Sequence, residues 1–215
     1  MVSRSVKFGR SRNCQNGLTL LELVLALSLG SLIILGASQV LLSVVTASSA
    51  VQRRILVEEK LLELQLLLSK ELRRAGYHSR PNQAATFSDQ NSLVYVNAAH
   101  NDVGLVYQVK SSGAEAFRNL YFDYSPSGKQ LKLCDKYSAT PLSTTQAATS
   151  TTGSSCYSLF DSNQFRLTHF QVELRSVASA AHHSAMLTVD MALALTGEPQ
   201  IQHAIHFNVM QRNWL

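Results

Sequence analysis

The amino-acid sequence divides into an apolar stretch, an amphipathic stretch and a long region in which apolar and polar residues alternate. In residues 18–52 the only ionisable side chain is that of Glu22, and the apolar run is longer than the roughly 20 residues that a helix needs to cross a bilayer. Residues 53–75 contain no proline or glycine, and leucines recur there at steps of three and four residues. These leucines are Leu61, Leu64, Leu68 and Leu72. The pattern predicts one helix over residues 18–75, membrane-spanning in its first half and packed on a globular domain in its second.

The predicted helix has a defined end and a charged outer surface. Gly76 is suited to end the helix, because glycine tolerates the left-handed conformation that follows many helices, and Pro81 cannot resume it. The charged residues of the second half are predicted to cover the side of the helix away from the leucines. They are Glu58, Glu59, Lys60, Glu63, Lys70, Glu71, Arg73 and Arg74.

After Pro81 the apolar period changes from that of a helix to that of a strand. The predicted strands cover residues 92–97, 103–110, 120–124, 131–134, 165–177, 185–195 and 201–210. The third and fourth strands can pair across a turn that contains Pro126 and Gly128. Short connections between the last three strands predict an antiparallel meander. The expected fold class is therefore α+β, a long amino-terminal helix packed on an antiparallel sheet domain.

The residues that flank the apolar stretch indicate how it would insert into a membrane. Four basic residues and no acidic residue precede Gly17, and positive flanks stay on the cytoplasmic side, so the carboxyl-terminal part is predicted to lie outside. A secretory signal peptide also starts with basic residues, but its apolar core spans only about 7 to 15 residues. Ser48, Ser49 and Ala50 could form a signal-peptidase site, and a cut there would remove the whole apolar helix. Secretion therefore stays as an alternative.

The boundary between leader and helix carries a specific motif. A short basic leader ends in Gly17, the apolar Leu18 follows, and Glu22 is the fifth residue counted from Leu18. This arrangement resembles the recognition pattern of a type IV prepilin, although prepilins more often have phenylalanine where Leu18 stands. The resemblance implies that residues 1–17 are a leader, that prepilin peptidase cuts between Gly17 and Leu18, and that the new amino group of Leu18 is methylated.

A second motif lies at the predicted end of the helix, where residues 70–77 read Lys-Glu-Leu-Arg-Arg-Ala-Gly-Tyr. This sequence resembles the minor pilins called prepilin peptidase-dependent protein B, and the related W-type minor pilins and J-type minor pseudopilins. The resemblance implies a pilin-like fold with three parts after the leader. They are a transmembrane half-helix over residues 18–45, a periplasmic amphipathic half-helix over residues 46–76 and a periplasmic β-rich domain over residues 77–215.

Removal of the leader would change both the charge and the cysteine content of the chain. Four of the 19 Lys and Arg residues precede Gly17, which leaves 15 basic residues against 14 acidic ones in the mature chain. Cys14 would leave with the leader, so Cys134 and Cys156 remain as an even pair in a non-cytoplasmic domain, where a disulfide is expected. The disulfide would close a loop with a Ser/Thr-rich part over residues 138–155. Two unpaired buried thiols are the alternative.

The sequence contains no pattern typical of catalysis. A Gly-x-Ser-x-Gly elbow, a phosphate-binding loop and a dinucleotide fingerprint are all absent, so we predict no enzymatic activity and no cofactor. His203 and His206 are three apart in a predicted strand and should point to opposite sides of the sheet, while His182 and His183 fall in a predicted turn. No metal site is predicted from these histidines. The nearly neutral mature charge argues against nucleic acid as a partner.

Glu22 is the candidate assembly residue. A carboxylate in an apolar helix is costly unless a partner, water or the membrane interface relieves it. After the predicted cut it would lie one helical turn from the cationic amino terminus of Leu18. The prepilin resemblance implies that Glu22 pairs with the amino terminus of a neighbouring subunit and sets its axial register. Pairing within the chain and snorkelling to the cytoplasmic interface are the alternatives.

The prepilin resemblance also implies a function. It is that of a minor pilin or pseudopilin that helps to initiate assembly of a type IV pilus or a type II secretion pseudopilus, at the fibre tip and anchored in the inner membrane. The implied partners are other minor subunits, the major pilin, the prepilin peptidase and the inner-membrane assembly platform. A membrane-anchored adhesin or DNA-uptake binding module is the alternative, and a sensor or enzyme with an ordinary signal anchor is a third class.

Overall fold

The computed structural model describes residues 19–81, 83–99, 101–150, 156–178 and 183–211. The helices are α1 (Leu20–Leu72) and α2 (Thr144–Ala148), and the strands are β1 (Val94–Val96), β2 (Asp102–Gln108), β3 (Phe117–Ser125), β4 (Gln130–Ser138), β5 (Cys156–Ser158), β6 (Phe165–Ala178), β7 (His183–Leu195) and β8 (Gln202–Met210). The chain forms two compact units, Met1–Ala50 and Val51–Leu215, and α1 contributes residues to both. The predicted α+β class is confirmed.

The strands of the second unit form two antiparallel sheets rather than one. The first sheet has the order β1-β2-β3-β4-β5, and the second has the order β6-β7-β8. The predicted pairing across Pro126 and Gly128 is present, because Ser125 on β3 pairs with Gln130 on β4. The predicted meander of the last three strands is present as well. Because the strands form two sheets, inward-facing side chains of both sheets can contact α1.

One hydrophobic core joins α1 to both sheets within the second unit. The predicted leucine stripe is buried as expected, and Leu61, Leu68 and Leu72 have no exposed surface. Leu105 and Phe122 reach this core from the first sheet, and Val189 and Val209 are among those that reach it from the second. Each fully buried leucine or phenylalanine side chain contributes about 1.5 to 3 kcal/mol to folding. The stripe therefore fixes which side of α1 faces the sheets.

The other face of the first sheet is covered by α2 and by the segment before β1. Ala85, Phe87, Val106, Tyr121, Cys134 and Ala147 form this smaller core. Helix α2 lies inside the tract that the sequence presents as a Ser/Thr-rich loop over residues 138–155. Ser143 caps α2, because its side chain accepts a hydrogen bond from the Gln146 N–H while the Gln146 side chain accepts one from the Ser143 N–H. The described part of the tract is thus ordered by capping and by burial of Ala147.

Two polar side chains outside α2 bond to it, one from the turn before β1 and one from β4. Asp89 accepts hydrogen bonds from the Thr144 N–H (3.0 Å) and the Thr144 hydroxyl (2.6 Å). Burial would raise the pKa of Asp89, but these hydrogen bonds outweigh it and lower the pKa below its ordinary value. At the other end of α2, the buried Lys136 ammonium donates to the carbonyl oxygens of Gln146 and Thr149. Burial lowers the pKa of Lys136.

The prediction for the charged surface of α1 is wrong at one residue. Glu71 is only 3% exposed, whereas we predicted that it would lie on the outer surface with the other charged residues. Glu71 is three residues after Leu68 and seven after Leu64, so it lies on the leucine stripe. The helix also ends at Leu72, three residues before the predicted end, and Gly76 follows with a φ of 78°.

Gly76 is required both by its backbone and by its surroundings, and Gly76→Ala is expected to destabilise the domain. Its positive φ costs a residue with a side chain about 1 to 2 kcal/mol. An added Cβ atom would lie 2.6 Å from Cδ2 of Leu93, which is buried. Urea unfolding of the detergent-solubilised chain measures the loss. Gly113→Ala is the control, since Gly113 has a φ of 107° but open space around it, and an equal loss in both variants would contradict a role for Leu93.

Candidate processing and assembly site

The first turn of α1 carries the candidate assembly residue. Glu22 is exposed, and its backbone N–H donates to the Thr19 hydroxyl oxygen at 3.3 Å, so Thr19 acts as the helix cap. A carboxylate in the first turn also interacts favourably with the partial positive charge of the helix amino terminus. Gly17 and Leu18 lie outside the described residues, so the cut between them and the methylation of Leu18 stay predictions. Sequence reasoning missed Thr19, although Thr-x-x-Glu is the spacing of a capping box.

Hydroxyl groups in the apolar half of α1 bond to the helix backbone. Ser38 donates to the Ile34 carbonyl oxygen at 2.7 Å and Ser43 to that of Val40 at 2.8 Å. The other hydroxyls that donate to a carbonyl oxygen three or four residues earlier are those of Ser28, Ser31, Thr46 and Ser49. A bilayer offers no water to such groups, so internal bonding favours insertion. The apolar side chains are exposed, Leu20 by 82% and Ile33 by 71%. By length and composition, α1 can cross a membrane.

The glycines of the apolar half leave the helix intact. Helix α1 runs continuously through Gly30 and Gly36. A Cβ atom at either position would meet no heavy atom within 4 Å. Close packing at these glycines would therefore have to involve another molecule.

A buried polar network joins the end of α1 to the first sheet. The Tyr107 hydroxyl donates to Glu71 Oε2 at 2.8 Å, and Arg118 Nη1 lies 3.6 Å from Glu71 Oε1. Arg118 also donates to both carboxylate oxygens of Asp135, at 2.9 and 2.7 Å. The network combines residues from α1, β2, β3 and β4, which sequence spacing alone cannot bring together. Of the network residues, only Glu71 could have been found from the sequence, because its position lies on the leucine stripe.

The network is held by aromatic stacking as well as by charge. Tyr107, Arg118 and Tyr137 pair with one another across β2, β3 and β4, and the Arg118 guanidinium lies 5.9 and 5.8 Å from the two ring centres. Hydrogen bonding to Asp135 raises the pKa of Arg118, which keeps it charged. Burial and the hydrogen bond to Glu71 raise the pKa of Tyr107. Arg74, from the Leu-Arg-Arg-Ala-Gly-Tyr motif, lies 5.8 Å from the Tyr107 ring centre on the helix side.

Cys134 and Cys156 form a disulfide in the structure, with their Cα atoms 4.0 Å apart. The bond joins β4 to the short strand β5, which the sequence did not predict. Cys134 lies in the small core beside Ala147 of α2. The disulfide therefore joins the strand that precedes the Ser/Thr-rich tract to the strand that follows it.

Replacing both Cys134 and Cys156 with serine is expected to cost about 3 kcal/mol, because the disulfide closes a loop with a sequence separation of 22 residues. The midpoint of urea unfolding under non-reducing conditions measures the loss. Cys14→Ser lies in the predicted leader and serves as the control with an unchanged midpoint. Equal midpoints for the double variant and the wild type would contradict a stabilising disulfide.

The histidines of β8 point to opposite sides of the sheet, as predicted. His203 Nδ1 lies 3.7 Å from Glu58 Oε1 on α1, and His206 Nδ1 lies 2.6 Å from Asp190 Oδ1 on β7. His183 begins β7, and His182 lies outside the described residues. In the described part of the chain, no three His, Cys, Asp or Glu side chains are grouped so that they could hold a metal ion.

The fold and the site together define a membrane-anchored, pilin-like protein: an apolar helix with one carboxylate in its first turn, continued into a helix that packs on antiparallel sheets. Residues 50–211 match the family described as prepilin peptidase-dependent protein B, and residues 12–38 match the prokaryotic N-terminal methylation motif. No curated protein and no solved structure matches the chain. Because the first match spans about three quarters of the sequence, the chain belongs to the prepilin peptidase-dependent protein B family, whose members are prepilin-like minor pilins.

Proposed function

We propose that this chain is a minor subunit that helps to initiate assembly of a type IV pilus or a type II secretion pseudopilus. The observation that carries the proposal is the single carboxylate of Glu22 in the first turn of α1, whose apolar half is otherwise uncharged, within the matched methylation motif. Prepilin peptidase would cut between Gly17 and Leu18 and methylate Leu18. The chain would sit in the inner membrane with its carboxyl-terminal domain in the periplasm.

Glu22 would then act between subunits. Its side chain is exposed in the isolated chain, so a neighbouring subunit can reach it. An amino terminus freed by the cut carries a positive charge, and pairing with it in a low dielectric offsets the cost of burying the carboxylate. One such pair per contact would set the axial register of the entering subunit.

The second half of α1 offers a further surface for subunit contacts. Ile55, Leu62 and Leu66 are 46%, 51% and 70% exposed, and the 3.6-residue period places them together on the side of the helix away from the leucine stripe. Exposed apolar side chains on one helix face are typical of a helix that meets a partner. The charged residues on this side of the helix are acidic toward its start, at Glu59 and Glu63, and basic toward its end, at Lys70 and Arg73. Parallel helices from two subunits would pair these opposite charges only when one helix is displaced along its axis.

The periplasmic domain would contact the partner subunits. If the chain assembles with other minor subunits before the major pilin is added, it would lie at the tip of the fibre. The assembly platform and the major pilin would then act on that initial complex. A display role, as an adhesin or a DNA-uptake module, is the competing function.

Deletion of the gene that encodes this chain, in the cells that carry it, tests the proposal. We expect the number of surface fibres or the amount of secreted substrate to fall about tenfold or more, and the wild-type chain to restore it. Normal fibre number with lost adhesion or lost DNA uptake would contradict an initiating role and favour display.

A further inference from the structure

Strand β8 is an unprotected edge of the second sheet. It is nine residues long and pairs with β7 on one side, and within the described ranges no strand lies on its other side. Its sequence, QHAIHFNVM, contains no proline, lysine, arginine or acidic residue, and its pairing with β7 has no bulge. Natural proteins normally block a free edge with such features, because its unpaired backbone groups bind other strands.

Two hydrogen bonds just beyond the ends of β8 show which of its residues bond to β7 and which face the open edge. The Leu195 N–H donates to the Ile201 carbonyl at 3.1 Å, and the Gln211 N–H donates to the Ala185 carbonyl at 3.0 Å. Backbone bonding alternates along an antiparallel pair, so the odd-numbered residues of β8 bond to β7. The even-numbered residues direct their N–H and C=O groups to the open edge. They are Gln202, Ala204, His206, Asn208 and Met210.

The opposite edge of the same sheet, at β6, is closed. The Leu167 N–H donates to the Lys129 carbonyl at 2.9 Å, and the Tyr124 hydroxyl donates to the Leu167 carbonyl at 3.3 Å. A bulge interrupts β6 between Leu167 and His169, and Glu173 and Arg175 add charge beyond it. One edge therefore carries the usual protection and the other carries none.

We propose that the open edge of β8 is a strand-addition site that binds an extended strand of a different subunit in the same assembly. The proposal rests on the proposed assembly function and names a contact surface for it. The incoming strand would exchange backbone hydrogen bonds with the even-numbered residues of β8. Its side chains would lie beside Ala204, His206 and Asn208, which are exposed and leave room for a neighbour.

The occupant is a different subunit because this chain offers its own copies only one open edge. A head-to-tail strand contact between identical copies needs two open edges. Strand β6 is closed, and the outer strands of the first sheet, β1 and β5, are three residues long. Two copies could pair only through β8 of one and β8 of the other, around a two-fold axis. Such a dimer uses both open edges, so no further copy could be added to it through a strand.

Amide hydrogen exchange tests the site on the full-length chain in detergent, alone and co-purified with the pilin-like subunits co-expressed from its own assembly system. Alone, the amides of Ala204, His206 and Asn208 should exchange freely, while those of Ile205 and Phe207 are protected. In the complex, exchange at the first three should slow about tenfold or more. Protection of the same amides in the isolated chain, together with dimerisation, would contradict the proposal in favour of a second copy.

Ala204→Pro provides a matched variant. It removes an N–H group that points to the open edge and is not used for pairing with β7, so the unfolding midpoint should stay near that of the wild type. Co-purification of the partner subunits should fall about tenfold, and Ala204→Ser, which keeps the N–H, should retain it. A complex that forms normally with Ala204→Pro and without protection of β8 would overturn the proposal and leave the assembly function standing. Absence of any complex with the wild-type chain would instead contradict the assembly function itself.

Discussion

Glu22→Ala is expected to leave the chain in the membrane and to lower its incorporation into fibres about tenfold or more. The apolar helix becomes more apolar, so insertion is not impaired. The substitution leaves the neighbouring amino terminus without its partner in a low dielectric, which costs about 3 to 5 kcal/mol. A tenfold change corresponds to only about 1.4 kcal/mol. Quantitative immunoblotting of membranes and of sheared fibres measures both quantities.

Two further variants separate charge from shape at this position. Glu22→Gln keeps the size and polarity of the side chain and should fail like Glu22→Ala, because only the charge pairs with an amino terminus. Ser38→Ala removes a hydroxyl that bonds within the same helix and should behave like the wild type. Normal incorporation of both Glu22 variants would remove Glu22 from the mechanism and favour simple snorkelling to the interface.

Arg118→Leu is expected to cost about 2 to 4 kcal/mol of domain stability. The substitution removes the closer of the two cationic neighbours of the Glu71 side chain, which is 4% exposed, and leaves only Arg74 at 4.0 Å. It also removes both hydrogen bonds to Asp135. Arg118→Lys should lose a smaller amount, since it keeps the charge but not the two-point geometry or the stacking on Tyr107 and Tyr137. Urea unfolding of the detergent-solubilised chain measures these differences.

An exposed arginine provides the matched control. Arg175 lies 3.5 Å from Glu173 on β6 with its side chain 69% exposed, and Arg175→Leu should change the stability by less than about 1 kcal/mol. Similar losses for Arg118→Leu and Arg175→Leu would contradict the account of the network. The expected contrast arises because water replaces the lost partner at Glu173 and cannot do so at Glu71.

Helices and strands in which apolar residues recur with a clear period could be predicted from the sequence. The leucine stripe of α1 and the alternation in β6, β7 and β8 bury one side of each element, and periodicity records this directly. The same period also placed Glu71 on the buried side, but its charge led to the wrong prediction. A buried carboxylate requires partners from other elements, and here Tyr107 and Arg118 come from separate strands that a local pattern cannot join.

Elements stabilised by contacts with the rest of the fold could not be predicted. Strand β5 has only three residues and is joined to β4 at the disulfide. Helix α2 has five residues, and it depends on Asp89 and Lys136, which come from elsewhere in the chain. The division into two sheets was missed for the same reason, because it depends on how the strands share one helix.

More of the candidate site than of the rest of the molecule could be predicted from the sequence. Glu22 stands out because the apolar residues around it carry no other charge, and the processing motif is contiguous in sequence. The open edge of β8 had no such signal, since nine residues without charge read as an ordinary strand. Only the sheet order shows that no neighbouring strand follows β8 in the described part of the chain.

The mature amino terminus tests the central claim most directly. Intact-mass spectrometry and amino-terminal sequencing of the chain purified from its own membranes should give a product that begins at Leu18 and carries one methyl group on its amino nitrogen. A chain that still begins at Met1 would contradict prepilin processing and indicate a plain anchor. A chain that begins at Val51 would contradict it in favour of secretion.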